Sequence, residues 1–178
     1  MSTRTTLVLL AVLAGLGATA LFVQGPGRAD RSRTRAAVFP GLAAKDVALI
    51  RASGDGVDLL LTREVGGWRL GAAKETADAA AVEALLAGLV ALREGPVVST
   101  NIARQSGYGT DAGQGIAVHL EGAGGKPIGG FVVGKRGPDL ASCYLRRDGK
   151  SDVLLVSRDL RADFSRPADS WKESPKKP

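Results

Sequence analysis

No charged side chain occurs between Arg4 and Arg28, and within this gap residues 7–23 are almost continuously apolar. As a helix they would span about 26 Å at ~1.5 Å per residue, slightly less than a ~30 Å hydrocarbon core. The same stretch fits a secretory signal peptide, because residues 18–20 have the A-x-A pattern of a cleavage site. Residues 1–25 are therefore predicted to be a transmembrane anchor or a signal peptide.

The basic residues beside this segment bear on which side of a membrane the remaining chain faces. Only Arg4 and the α-amine precede the segment, whereas a basic cluster follows it, formed by Arg28, Arg31, Arg33 and Arg35. The positive-inside rule then favours a cytoplasmic C-terminal side. The signal-peptide layout favours export, which is the orientation we adopt, with the cytoplasmic one left open.

The remaining sequence is predicted to form one domain with its own core, at residues 37–171. A linker rich in Gly, Pro and Arg precedes it at 26–36, and a charged disordered tail follows at 172–178. Between Ala36 and Trp171, sixteen Lys and Arg balance sixteen Asp and Glu, so the net charge of +6 comes from the flanking segments. A nucleic-acid binder would carry a basic stripe with aromatic residues. The sequence predicts no nucleic-acid partner.

Alternating apolar residues and turn signals predict antiparallel strands. Asp-Gly pairs at 55–56 and 148–149 indicate two hairpins. Strands are predicted at 47–53, 57–64, 68–70, 97–99, 116–121, 127–133, 142–147 and 152–156. The polar, glycine-rich residues 101–115 are predicted to form a long connection.

One main helix is predicted after a cap at Thr76 or Asp78. Its apolar residues recur at helical spacing, at Val82, Leu85, Leu86, Leu89 and Leu92. Gly95-Pro96 is predicted to end it, and a second, short helix is predicted to reach Phe164. The fold class predicted is α+β, with antiparallel meanders and hairpins covered by one long amphipathic helix.

The nearest approach to a catalytic motif is the string at residues 129–135, which resembles the start of a phosphate-binding loop. Arg136 stands where that loop needs a Ser or Thr hydroxyl for Mg²⁺. Residues 131–133 also read as a strand, whereas the loop must curl its amides around phosphate. The string is therefore interpreted as a strand, and no nucleotide or other cofactor is predicted.

Single residues of chemically reactive types have ordinary structural interpretations. His119 alternates outward from an apolar strand and is interpreted as a surface residue, because a zinc site needs further ligands. Cys143, the only cysteine, is interpreted as a small buried hydrophobe. Ser174 matches an S-x-x-K string in the charged tail. No catalytic, cofactor-binding or metal-binding residue is predicted, although a pair of carboxylates brought together by folding is not excluded.

Two tryptophans have both a binding and a packing interpretation. Trp68 shares a strand face with Leu70, which favours burial in the core. Trp171 is interpreted as a staple that holds the C-terminus on the domain, the alternative being a contact with a partner.

Short strings along residues 36–171 resemble the bacterial family called domain of unknown function 4340. They are Phe39-Pro40-Gly41-Leu42, Gly67-Trp68, the Ala-rich helix, Tyr108-Gly109, Val132-Val133-Gly134-Lys135 and Leu154-Leu155-Val156 before Trp171. Thr110 departs from the pattern, because an apolar residue is expected there. The resemblance implies an N-terminal membrane segment and an accessory role beside envelope or ABC-type transport proteins, and it supplies no catalytic residue.

Three functional hypotheses follow from these observations. The first is a membrane-tethered envelope module that binds a partner protein or helps to assemble a transport complex, placed at the inner membrane facing the periplasm or cell exterior, or cleaved and exported. The second is an enzyme that acts on an envelope polymer through an unrecognised carboxylate pair. The third is an anchored protein that faces the cytoplasm.

Overall fold

The structure, a computed structural model, describes residues 35–173. Its strands are β1 (Leu49–Gly54), β2 (Val57–Glu64), β3 (Gly67–Leu70), β4 (Glu75–Thr76), β5 (Val97–Ser99), β6 (Ile116–Glu121), β7 (Pro127–Arg136), β8 (Cys143–Arg147) and β9 (Val153–Val156). The α-helices are α1 (Ala79–Ala91), α2 (Gln105–Tyr108) and α3 (Leu160–Phe164), and short 3₁₀ turns occur at Ala44–Asp46, Ile102–Arg104, Ala123–Gly125 and Ala168–Trp171. The predicted anchor or signal peptide lies outside the described residues, as do most of the linker and the end of the tail.

The described strands form one antiparallel sheet in the order β4-β3-β2-β1-β6-β7-β8-β9-β5. Two four-stranded meanders, β1–β4 and β6–β9, meet where β1 pairs with β6. The chain leaves the first meander at β4, passes through α1, and places β5 beside β9 at the opposite edge. The two meanders are therefore joined by tertiary pairing and not by a turn.

The prediction of an α+β fold covered by one long amphipathic helix is wrong. Helix α1 has 13 residues, about 20 Å at ~1.5 Å per residue, whereas nine strands ~4.8 Å apart make a sheet roughly 38 Å wide. Glu83 is its only charged residue, and the positions opposite its leucines are mostly alanine. The spacing of the leucines identified a buried side correctly, but alanine supplies no polar side. The described part of the chain is mostly β, with short helices.

The end of α1 also differs from the prediction. The helix stops at Ala91, because Leu92 turns extended and the next residues pair with the start of the domain. The Val38 amide donates to the Leu92 carbonyl at 3.1 Å, and Ala37 bridges Arg93. Gly95 is required for a different reason: a Cβ there would lie 1.6 Å from a carbonyl oxygen in β9.

The two faces of the sheet differ in burial, as expected of an antiparallel sheet. On one face, alternating residues of the central strands join the core, among them Ile50, Leu61, Val118, Phe131 and Leu145. The predicted helix residues Val82, Leu85, Leu86 and Leu89 pack into the same core. The opposite face carries exposed residues such as Arg51 and His119, which are cross-strand neighbours on β1 and β6.

The connection at 101–115 is more ordered than the sequence indicates. It contains the turn Ile102–Arg104 and helix α2, and it packs against β7 and β8. The Tyr108 and Tyr144 rings lie 4.9 Å apart. Arg146 donates to the Thr110 carbonyl at 3.0 Å. Thr110 is fully buried, and its hydroxyl donates to the Gln105 carbonyl at 3.3 Å, which explains why a polar residue is accepted there.

Within residues 35–173, no helix combines the length and the apolar character needed to cross a membrane.

Candidate binding groove

An open groove lies at one end of the sheet, on both sides of the segment Phe39–Leu42. Its larger lobe has a volume of about 1260 Å³ and its smaller lobe about 690 Å³. The two lobes share Gly41, Leu42 and Ile128. We call both lobes together the Leu42 groove. Val47 and Ala48 just before β1 and the end of β2 border the larger lobe, and the start of β7 borders both.

The segment that divides the groove is fixed by an aromatic contact and a tight turn. The Phe39 ring lies 4.8 Å from that of Phe131, which lies 6.2 Å from that of Phe164 in α3. The Leu42 amide donates to the Phe39 carbonyl at 3.2 Å. Gly41 between them has φ of 82°, a backbone conformation that favours glycine. The Phe-Pro-Gly-Leu string therefore builds the wall of the groove.

Apolar side chains stand exposed at the rim of the groove. Val65, in the turn between β2 and β3, is fully exposed, and Ile128 near the start of β7 is 37% exposed. Pro40 and Pro127 beside them are also exposed. Exposed apolar side chains grouped around a concavity indicate a surface made for contact, whereas isolated ones need no explanation.

The basic residues of the groove fall into two groups. The arginines are paired: Arg63 lies 2.8 Å from Glu83 and stacks on Trp68, and Arg147 lies 2.6 Å from Glu94. The lysines Lys45, Lys126 and Lys150 are exposed, and none forms an ion pair with another residue of the described range. The groove thus offers unpaired positive charge beside apolar side chains.

Three carboxylates also line the groove, at Asp46, Glu64 and Asp148. Glu64 lies 2.6 Å from Lys74, and this hydrogen bond holds the pKa of Glu64 below its usual value. A general acid in a polymer-cleaving enzyme needs the opposite shift, because it must stay protonated near neutral pH. Glu64 is therefore suited to a structural ion pair and not to proton donation.

The string at residues 129–135 lies within β7, as interpreted from the sequence. Lys135 does not face a phosphate cradle. Its Nζ donates to the carbonyls of Ser106 and Gly107, at 3.4 and 3.2 Å, and so holds the end of α2. Arg136, the residue that breaks the motif, lies 2.7 Å from Asp159. Gly129 and Gly130 line the smaller lobe of the groove.

His119 lies on the exposed face of the sheet, as predicted. Its side chain is 52% exposed, and Nδ1 is 3.7 Å from Oδ2 of Asp148. Among residues 35–173, no three His, Cys, Asp or Glu side chains lie close enough together to hold a metal ion.

Cys143 and the two tryptophans have the structural roles predicted for them. Cys143 is fully buried, and burial raises the pKa of its thiol to about 11. Trp68 is buried, and its Nε1 donates to Glu83 at 3.2 Å. Trp171 is fully buried, and its carbonyl accepts from the Asp78 amide at 2.8 Å, so it holds the C-terminal segment against the start of α1. Ser174 lies outside the described residues.

The sequence did not point to the groove, because its parts come from four separate stretches of chain. Lys45 and Lys126 are 81 positions apart in the numbering and share one lobe only after β1 pairs with β6. The only local signal is the turn in Phe39-Pro40-Gly41-Leu42, where Phe39 and Leu42 are half-buried and Pro40 is exposed.

Comparison with known proteins identifies the family. No curated protein and no solved structure matches the chain. The family model described as domain of unknown function (DUF4340) matches residues 68–175, as a single copy. The match includes Lys126 and Lys150 but begins after β1, β2 and the Phe39–Leu42 segment. The resemblance seen in the sequence is confirmed, and because the match spans more than half of the chain, the chain belongs to the DUF4340 family.

Proposed function

We propose that the chain is a membrane-tethered envelope protein whose domain is a non-catalytic binding or assembly module associated with a transport or envelope complex. The observation that carries the proposal is the Leu42 groove. It combines exposed Val65 and Ile128 with lysines that form no ion pair within residues 35–173. An open apolar concavity with unpaired charge suits the binding of an external partner.

The tether is supported by the apolar residues 7–23, which lie in a gap of more than twenty residues without charge. A stretch of that length and composition is expensive to leave in water and inexpensive to place in a bilayer. The charge-balanced body that follows does not favour nucleic acid as the partner.

Among the groove carboxylates, Glu64 does not fit the role of a general acid, which favours binding over catalysis at this residue. Glu64 is committed to Lys74, which lowers its pKa. A carboxylate pair that cleaves a glycosidic bond needs one member with a raised pKa.

The first experiment tests the compartment. Two fusions at the C-terminus, one to a reporter active only in the periplasm and one to a reporter active only in the cytoplasm, give opposite results for the two orientations. Activity of the periplasmic reporter alone supports an exported domain. Activity of the cytoplasmic reporter alone contradicts it, and recovery of the chain in the soluble cytosol contradicts the tether as well.

The second experiment tests the groove as the contact surface. A photo-crosslinking amino acid is placed at Ile128 in the groove or at Leu140, an exposed leucine in the loop between β7 and β8. We expect crosslinks to an envelope component from position 128 and few from position 140. Equal yields from the two positions, or none from 128, contradict a groove contact.

A further inference from the structure

We propose that the component bound by the Leu42 groove is the anionic lipid surface of the membrane itself. This inference deepens the proposed function and rests on its tether. Docking would fix the orientation of the domain, so that the opposite end of the sheet is presented to a partner protein.

The charge pattern of the groove supports a lipid surface. Lys45 and Lys126 line the larger lobe and Lys150 the smaller one, and all three are exposed. Each lysine near an anionic membrane contributes about 1 kcal/mol of attraction, which is roughly fivefold in binding. Asp46 and Asp148 are the acidic groove residues not neutralised by an arginine or lysine, and Asp148 lies beside His119. Three free lysines and two free aspartates leave these groups with a net charge of +1.

The choice of lysine over arginine favours a diffuse surface as the partner. Arginine suits a carboxylate in a fixed place, because its planar group makes two parallel hydrogen bonds. The groove arginines, Arg63 and Arg147, already pair with Glu83 and Glu94 within the domain. Lysine is a flexible point charge and can follow mobile headgroups. A defined acidic segment of a protein would be better served by free arginines.

The apolar side chains of the rim suit the headgroup region. Val65 lies in a hairpin turn and is fully exposed, and Ile128 follows the Gly122–Lys126 turn at the same end of the sheet. Aliphatic side chains beside lysines can enter the boundary between headgroups and acyl chains while the charged ends stay in water.

The length of the linker makes this contact accessible. Ala36, the first residue paired with the domain, follows the apolar stretch by about a dozen residues. A chain of that length spans at most about 40 Å even when fully extended. The domain is then held at high local concentration near the bilayer, so that weak contacts are sufficient for docking.

The test uses the full-length chain in vesicles, with a fluorophore on one introduced cysteine. Ala123→Cys places the label in the larger lobe, and Ser165→Cys places it at the opposite end of the sheet, both at exposed positions. The buried Cys143 is protected from the reagent. Vesicles contain a quencher on the lipid and are either partly anionic or wholly zwitterionic.

In anionic vesicles we expect strong quenching of the Ala123→Cys label and little quenching of the Ser165→Cys label. This difference should disappear in zwitterionic vesicles. It should also disappear at 1 M salt, where the Debye length falls to about 3 Å. The double variant K45Q/K126Q is expected to lower the docked-to-free ratio by about 30-fold, at roughly fivefold for each lysine. The control R51Q/R104Q removes the same charge from exposed positions outside the groove and is expected to leave the ratio unchanged.

The outcomes separate this inference from the proposed function. If the chain does not remain with the vesicles, both the tether and the docking are wrong. If it remains but the two labels are quenched equally, or if K45Q/K126Q behaves as its control, the docking alone is wrong. A polyglutamate peptide that shifts the emission of the Ala123→Cys label without anionic lipid would assign the groove to a protein partner and overturn the lipid surface.

Discussion

The two ends of the sheet use their charges in opposite ways. At the end with the Leu42 groove, three exposed lysines have no partner among the described residues. At the other end, which we call the paired end, the turn Gly54–Val57 and the end of β7 meet residues 159–171. There Arg136 lies 2.7 Å from Asp159, and Arg161 pairs with Asp55. The paired end uses its arginines to close the fold. The groove end also pairs Arg63 and Arg147 within the domain, but it leaves three lysines free for an external surface.

The apolar side chains show the same contrast. Trp171 and Phe164 at the paired end are buried, whereas Val65 and Ile128 at the groove end are exposed. A buried apolar side chain stabilises the fold because folding removes it from water. An exposed apolar side chain leaves water only when a partner binds, so it contributes to the free energy of binding. Substitutions at the paired end should therefore change stability, and those at the groove should change binding.

The largest expected effect is that of Trp171→Ala. Removing a fully buried indole from the paired end is expected to lower the free energy of unfolding by about 3–5 kcal/mol. The matched change at the groove, Ile128→Ala, is expected to cost less than about 1 kcal/mol. Urea unfolding midpoints of the two variants measure the difference, and similar losses would contradict the contrast.

A second variant at the same position separates packing from hydrogen bonding. Nε1 of Trp171 is buried and has no hydrogen-bond partner among the described residues. Trp171→Phe removes this unpaired group and keeps an aromatic ring, so its cost is expected to be well below that of Trp171→Ala.

Two glycines on the same strand give a sharper comparison. A Cβ on Gly134 would lie 2.3 Å from the Tyr108 carbonyl oxygen, whereas Gly129, in the groove, has nothing within 4 Å of that position. Gly134→Ala is expected to destabilise by about 1–3 kcal/mol through overpacking. Gly129→Ala is expected to be neutral or to stabilise by up to about 1 kcal/mol, because it restricts the unfolded chain. Thermal unfolding of both variants tests this, and a reversed order would show that the loop at 101–115 does not pack against β7.

A smaller effect is expected from the charges themselves. The Asp159 carboxylate accepts from the Ala162 amide at 3.1 Å, which caps α3, and also pairs with Arg136. Asp159→Ala is expected to cost about 1 kcal/mol, the usual loss for a helix cap. Lys126→Ala in the groove should change stability by no more than about 0.5 kcal/mol. If Lys126→Ala costs as much, the lysine has an internal role and is not free.

The smallest expected effect is a dependence on pH that both ends share. Hydrogen bonds from Lys74 and Ser142 hold the pKa values of Glu64 and Asp139 below their ordinary values of 4.5 and 3.8. A carboxylate whose pKa is lowered in the folded state stabilises the fold fully when the pH is above its pKa in the unfolded chain. This contribution is lost as the pH falls through the lowered pKa of the folded state. Stability should therefore fall on acidification below about pH 4, and Asp139→Asn should reduce the slope of the fall. An unchanged slope would show that Asp139 does not contribute to the loss of stability at low pH.

Most local elements were predictable from the sequence, because their signals lie between near neighbours. The Asp-Gly pairs at 55–56 and 148–149 are hairpin turns, and the predicted strands correspond to β1–β3 and β5–β9 within a few residues. The two-residue β4 was missed, since Glu75 and Thr76 form a strand only by pairing with β3. The interpretation of residues 129–135 as a strand also followed from local physics.

The predictions from sequence fail where the conformation of a residue depends on a contact with a distant part of the chain. Helix α1 ends before Gly95-Pro96 because Leu92 accepts a hydrogen bond from Val38, a contact that no local pattern records. Gly95 was interpreted as a stop signal, but the close approach of Leu155 is what requires it. The leucines of α1 have the spacing of an amphipathic helix, but the alanines opposite them give it no polar side.

The sequence by itself determined the hairpins, the buried positions of α1 and the family. It also determined the charge balance of residues 36–171 and the expectation of an apolar N-terminal segment. These features were readable because turn chemistry, side-chain periodicity and composition act within a few residues. The tertiary structure alone decided that the two meanders join into one sheet, that three lysines from distant positions share a groove, and that the arginines at the other end are paired. Strand pairing and ion pairing depend on which segments meet in space, and many orders of the same strands satisfy the same local preferences.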